Sequence, residues 1–213
     1  MWPIVRGRLP DPPAQVLEIG CGSLGGFVPM LRSSGYEVIG VDPEAPAEAG
    51  YLRVEFEKAE PLGKLDALVA STSLHHVADP AEVLDRVVSS LVPGGTLVVV
   101  EWAWERFDEP TAEWCFERLG RNDEPGWLHR RRDEWIASGD PWSVYLQDWA
   151  QRERLHSAES LLGLLDDRFD RVELSFGPYL FPELAATSAE DEQDAIEAGQ
   201  IRATRVDYVG RRP

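Results

Sequence analysis

Apolar positions along the chain switch between two periods. Ala14 to Ile19 is a short run, apolar at Val16, Leu17 and Ile19, and reads as a strand. A helical stretch through Met30 and Leu31 follows, with Gly35 as a left-handed stop. Glu37 to Val41 predicts a second strand and Tyr51 to Phe56 a third. Leu65 to Ala70 is apolar except at Asp66, as expected of a strand buried on both faces. Asp79-Pro80-Ala81-Glu82 combines an N-cap residue, a first-turn proline and an acid. The helix it starts carries Val83, Leu84, Val87, Val88 and Leu91 on one face. Pro93-Gly94-Gly95 ends that helix, and the β-branched run Thr96 to Val100 predicts another strand. Strand and helix in alternation predict βαβ units and a parallel sheet with helices on both faces, an α/β fold.

The pattern changes at Trp102. Seven of the eight tryptophans lie between Trp102 and Trp149. Asp140-Pro141 reads as a second N-cap and first-turn proline, after which Trp142, Tyr145, Leu146 and Trp149 share one helical face. A helix over Ser157 to Asp167 carries Leu161, Leu162, Leu164 and Leu165. Arg171 to Phe176 and Ile201 to Val209 read as the last two strands, with an acidic loop or exposed helix, Ala185 to Ala198, between them. The first residues hold Pro3, Pro10, Pro12 and Pro13 and predict a leader on the outside of the domain. The expectation is one domain over 1–213, with a helical insertion at 102–156.

Between the first strand and helix lies Gly20-Cys21-Gly22-Ser23-Leu24-Gly25-Gly26, and Asp42 ends the next strand. In form this is a dinucleotide fingerprint: glycines admit a ligand to the backbone, and an acid 20 residues after Gly22 binds ribose hydroxyls. Glu18, two residues before the first glycine, argues against a pyrophosphate there. Two unit charges at 4 Å repel by about 4 kcal/mol at an effective dielectric of 20. A cationic amine is attracted instead, and S-adenosylmethionine offers an ammonium, a sulfonium and a ribose diol. The plainer reading makes Glu18 a capping residue.

Charge narrows the partners. Lys and Arg total 21 against 38 Asp and Glu, a net charge of −17. Such a field repels phosphate backbones and anionic membranes, so neither nucleic acid nor a membrane is an expected partner. A hydrophobic fraction of 43% excludes wholesale disorder. Two cysteines, Cys21 and Cys115, make neither a disulfide framework nor a metal cluster. With no signal-peptide run at the N-terminus, a soluble cytoplasmic protein is expected.

V-L-E-I-G-C-G, then V-I-G-V-D, then L-D-A-L-V-A-S-T-S-L-H-H-V, then L-V-P-G-G-T-L-V-V-V-E resemble the successive motifs of class I S-adenosylmethionine-dependent methyltransferases. The resemblance runs from Val16 to Glu101, and the last strand pair also matches. It implies a doubly wound, Rossmann-like sheet of seven strands in the order 3-2-1-4-5-7-6, with strand 7 antiparallel. It implies S-adenosylmethionine as cofactor and S-adenosylhomocysteine as product. Glu18, Gly20, Cys21 and Gly22 would then line the methionine end, Asp42 hold the ribose and Pro43 lie beside the adenine. Phe56 and Glu57 stand where the family has an acid and a small neighbour, and Ser71 follows strand 4. The S-L-G-G stretch replaces the usual third glycine.

Methyl transfer needs alignment of the acceptor and exclusion of water. His75 and His76, after strand 4, are candidate bases, or else they orient the turn. His129 with Arg130-Arg131-Arg132 reads either as a solvated helix face or as a contact for an anionic group. In the resemblance, the Trp-rich insertion covers the acceptor site and favours a small organic acceptor. Most of its rings would be structural. Two rivals stand beside this reading: a nicotinamide-dependent oxidoreductase using the same loop, and a module that binds S-adenosylmethionine without catalysis.

Overall fold

The computed structural model describes residues 1–60, 63–120 and 126–213. In chain order come α1 (Trp2–Arg6), β1 (Gln15–Ile19), α2 (Val28–Ser33), β2 (Glu37–Val41) and β3 (Tyr51–Leu52). A 3-10 turn at Phe56–Lys58 precedes β4 (Leu65–Ser71), and another at Leu74–His76 precedes α3 (Pro80–Ser90) and β5 (Leu91–Trp102). Then follow α4 (Glu109–Phe116), α5 (Trp127–Ser138), α6 (Trp142–Arg152), α7 (Ala158–Asp166), β6 (Asp170–Gly177), α8 (Ala189–Glu197) and β7 (Arg205–Arg211). The strands form one sheet in the order β3-β2-β1-β4-β5-β7-β6, with β7 antiparallel, as the motifs imply. Among the described residues no helix is long and apolar enough to cross a membrane.

The described chain divides into two compact units. The first comprises Met1–Glu101, Glu159–Ser175 and Asp207–Pro213; the second comprises Trp102–Ala158 and Phe176–Val206. In the first, successive strand residues serve opposite faces of the sheet. Leu17, Leu68, Leu97 and Val99 pack with Val83, Leu84 and Val87 of α3 and Leu161 and Leu165 of α7. Val16, Val69 and Val98 pack with Val5 of α1 and Val28 and Leu31 of α2. Each such side chain contributes about 1.5–3 kcal/mol by leaving water. Asp79 caps α3, its Oδ1 accepting from Ala81 N–H at 2.9 Å and Glu82 N–H at 3.1 Å. Gly35 has φ +89°, the left-handed stop that the pattern predicts.

The leader packs against the sheet through one side, with Val5 fully buried and Leu9 nearly so, while Met1, Pro3 and Gly7 stay exposed. Several expectations need correction. The third strand stops at Leu52, since β2 ends at Val41 and leaves nothing to pair with beyond the Val41–Leu52 step. The last strand begins at Arg205, not Ile201. Before it, the backbone is engaged elsewhere in the second unit: Arg202 N–H donates to Thr111 Oγ1, and the Ala203 and Thr204 carbonyls accept from Arg106 Nε and Ala103 N–H. Pro141, not Asp140, is the N-cap of α6. The acidic segment forms α8 behind a Ser188–Asp191 capping box, and two of its residues, Glu192 and Ala195, are buried.

The second unit is built on aromatic rings. Trp102 stacks on Tyr179 with 10° between planes and meets Phe107, Trp127 and Trp149. Trp142 meets Phe107, Phe116 and Trp135 edge-on. Three indole N–H groups donate to backbone carbonyls: Trp142 to Phe107 at 2.5 Å, Trp135 to Asp140 at 2.9 Å and Trp104 to His156 at 3.2 Å.

Candidate functional site

Strands β1, β2 and β4 of a parallel sheet end on one edge, where ligands of such sheets bind. At that edge the first unit holds a cavity of about 630 Å³. Ile19, Gly20 and Gly22 line it from β1 and its loop; Val41, Asp42 and Pro43 from β2; Glu55, Phe56 and Glu57 from the 3-10 turn. Thr72, Ser73, His76, Val77 and Ala78 line it from the segment after β4.

Gly20 has φ +77°, and a Cβ there would run into the Ser73 side chain, so only glycine lets the two walls approach. Asp42 is half-buried. Its Oδ2 accepts Gly22 N–H at 3.0 Å and its Oδ1 accepts Glu44 N–H at 2.7 Å. Each carboxylate oxygen keeps a further lone pair for a hydroxyl donor. Ile19, Val41 and the buried Phe56 supply an apolar wall.

Glu18 takes the capping role. It is 1% exposed, lies outside the cavity lining, and accepts Phe27 N–H on both oxygens at 3.0 and 2.8 Å. Gly26, at φ +54°, has no room for a Cβ against that carboxyl. Burial pushes the Glu18 carboxyl up to about 7, although hydrogen bonds from Phe27 and Val28 N–H pull the other way. Cys21 is buried beneath the loop, and desolvation followed by the charges of Glu18 and Asp42 pushes its thiol up to about 12. It is a filler, not a nucleophile.

The structure thus brings Gly20, Gly22, Asp42, Pro43, Phe56, Glu57 and His76 to one cavity and leaves Glu18, Cys21, Ser71 and His75 outside its lining. Ser71 stays in β4, and the chain turns immediately after it, so Thr72 and Ser73 take the wall instead. Ser73 Oγ also donates to the Ile19 carbonyl at 3.2 Å. His75 is buried and its Nδ1 lies 2.5 Å from Glu101 Oε2. Sequence reasoning missed Thr72, Ser73 and Glu101. The signal for Glu101 was an acid closing a β-branched strand that is otherwise apolar.

Two arginines of the basic cluster are engaged by α5 and α6. Arg131 pairs with Glu134 at 2.7 Å and lies over the Trp149 ring, and Arg132 pairs with Asp133. His129 is buried with Nε2 2.8 Å from the Gly120 carbonyl.

The cavity chemistry suits a cationic nucleoside. Three carboxylates, Asp42, Glu55 and Glu57, line it, and no Lys or Arg does so among the described residues. The Gly22 N–H that lines the cavity already donates to Asp42.

Comparison with known proteins agrees with this geometry. Residues 5–168 match the family described as a methyltransferase domain. A ubiquinone biosynthesis O-methyltransferase of Bradyrhizobium sp. (strain ORS 278) is 28% identical over 151 residues, 63% of this chain and 56% of the relative. The chain spans about half the length of the curated relatives it matches. An S-adenosylmethionine-dependent methyltransferase from Mesorhizobium loti superposes with a TM-score of 0.59 at 19% identity, covering 99% of this chain and 97% of that one. The N-methyltransferase NodS from Bradyrhizobium japonicum, solved with S-adenosylhomocysteine, gives 0.56 at 16% identity, covering 100% and 85%. The motif order, the seven-stranded topology and the family match together place the chain in the class I S-adenosylmethionine-dependent methyltransferase family.

Proposed function

We propose that the protein transfers a methyl group from S-adenosylmethionine to a small organic acceptor at oxygen, nitrogen or carbon. The observation that carries this reading is the cavity lined by Asp42, Glu55 and Glu57 without a cationic side chain among the described residues. A ligand bearing an ammonium and a sulfonium gains there what a diphosphate would lose.

When bound, S-adenosylmethionine supplies an electrophilic methyl group on sulfur. Asp42 accepts the ribose hydroxyls. Ile19, Val41, Pro43 and Phe56 enclose the purine and exclude water from it. Glu57 adds negative charge on the same side. Ser73 and His76 form the wall after β4, and His76, exposed in the cavity, is the candidate base for a hydroxyl or ammonium acceptor. His75 is proposed to act through His76 rather than on the acceptor.

An acceptor of small-molecule class is supported by the net charge of −17, which disfavours polyanions. The relatives divide between an O-methyltransferase of ubiquinone biosynthesis and an N-methyltransferase, which keeps both atoms in the proposal. The test is incubation with donor labelled in the methyl group and a panel of phenols, amines and carbon acids. Label in a product of the panel, lost in H76A with donor binding retained, supports the reading. Binding of S-adenosylhomocysteine with no acceptor ever labelled makes the protein a binding module instead.

A further inference from the structure

The segment after β4 holds a strained residue. Thr72, which is β-branched, sits at φ +49°, in the left-handed region that favours glycine. Such a conformation persists only where its surroundings impose it. Here β5 does so with two consecutive residues. The Val100 carbonyl accepts Thr72 N–H at 2.7 Å. Glu101 Oε1 then accepts Ser73 N–H at 2.8 Å and Leu74 N–H at 2.6 Å. Its other oxygen, Oε2, lies 2.5 Å from His75 Nδ1.

Glu101 is 1% exposed. Oε1 thus takes two backbone N–H groups, and Oε2 stands opposite His75 Nδ1, a hydrogen bond in which the imidazole nitrogen is the donor when it carries the ring hydrogen. The His75 ring in turn lies against the His76 ring, with centroids 4.1 Å apart. One buried carboxylate therefore grips three consecutive residues, 73 to 75, while Thr72, Ser73 and His76 face the cavity.

We propose that Glu101 is a positioning residue for the reaction: it holds the strained Thr72 turn and fixes His75, so that Ser73 and His76 stand in the cofactor cavity. This rests on the cavity being the S-adenosylmethionine site. Glutamine at this position offers one accepting oxygen in place of two and cannot accept on its nitrogen. E101Q gives up one side of the grip, either the Ser73 and Leu74 N–H groups or His75 Nδ1, and the hold on the Thr72 turn weakens. Glycine at position 72 adopts that region without steric cost. The strain and the grip are thus two sides of one balance, and removing both restores the wall.

The experiment is calorimetric titration of the full chain with S-adenosylhomocysteine in four forms: wild type, E101Q, T72G and T72G/E101Q. Wild type binds; if it does not, the assignment of the cavity fails and not this inference. E101Q is expected to bind about tenfold more weakly, the scale of a lost charge-assisted hydrogen bond. T72G alters the cavity wall itself and therefore serves as the reference for the double variant, which should bind within about threefold of T72G. In wild type and T72G labelled with ¹⁵N-histidine, one imidazole Nδ1–H should resonate far downfield, and E101Q should lose that resonance. Wild-type affinity in E101Q overturns the proposal, as does a double variant that binds about tenfold more weakly than T72G. If E101Q does not fold, the double variant carries the test: it must fold and bind, and its failure to do so also overturns the proposal.

Discussion

In the first unit, the buried carboxylates Glu18 and Glu101 accept backbone N–H groups from two turns, those after β1 and after β4. In the second, indole N–H groups donate to backbone carbonyls inside an aromatic core. Both arrangements satisfy buried polar groups. They differ in what the held backbone does next. The turn under Glu101 exposes Thr72, Ser73 and His76 to a cavity, whereas Trp142 and Phe107 are closed in on every side. Glu192 makes the contrast sharper. It also is buried and takes the N–H groups of Tyr179, Leu180 and Phe181, but Leu180 belongs to the aromatic core. A buried acid on backbone N–H groups marks a shaped turn; a site needs that turn to face open space.

The largest expected effect tests the second unit as pure packing. Trp142 is 1% exposed and touches four rings. W142A should cost about 3–5 kcal/mol in chemical denaturation. A loss below about 1 kcal/mol would show that the ring fills no closed core.

The next effect belongs to Glu18. A folded-state pKa raised from 4.5 to about 7 means that folding favours the protonated acid. That contribution is complete below 4.5 and lost as pH rises toward 7, about 3 kcal/mol in all. Compared with E18Q, which keeps an oxygen for Phe27 N–H, wild type should lose stability between pH 4.5 and 7. Parallel stability curves for the two proteins would contradict the buried position of the acid.

Asp42 comes third. D42A should weaken S-adenosylhomocysteine binding by about 1–3 kcal/mol, measured by calorimetry, while changing stability less than W142A does. Unchanged affinity removes Asp42 from the site. The smallest effect is chemical. With both cysteines buried and their thiols pushed up by desolvation, neither should react with a disulfide reagent at pH 8 in the native protein, and both should react in denaturant. Fast native labelling of Cys21 would mean an open glycine loop.

The first unit was the more legible of the two in the sequence. Its first two strands are short apolar runs followed by Gly20 and Asp42, and the ligand-facing residues Gly20, Gly22 and Asp42 sit where a strand ends. Contiguous motifs suffice there because a parallel sheet brings strand ends to one edge. What escaped was the reach between strands. Nothing local to Glu101 reveals that it grips residues 73 to 75, and nothing local to Ser71 reveals that Thr72 turns left-handed and hands the wall to Ser73. For Glu18 the sequence leaves a ligand contact and a capping role both open, because charge is visible in a sequence and depth is not. In the second unit the spacing of Trp142, Tyr145 and Leu146 foretold a buried face, but the partners of the rings come from segments far apart in the chain, such as Trp102 with Tyr179.

The central claim is that the cavity takes a cationic sulfur nucleoside and refuses a diphosphate. Parallel calorimetric titrations of the wild-type protein with S-adenosylmethionine and with oxidised nicotinamide adenine dinucleotide test it most directly. Saturable binding of the first and no heat from the second is the result expected here. Binding of the dinucleotide alone would contradict it.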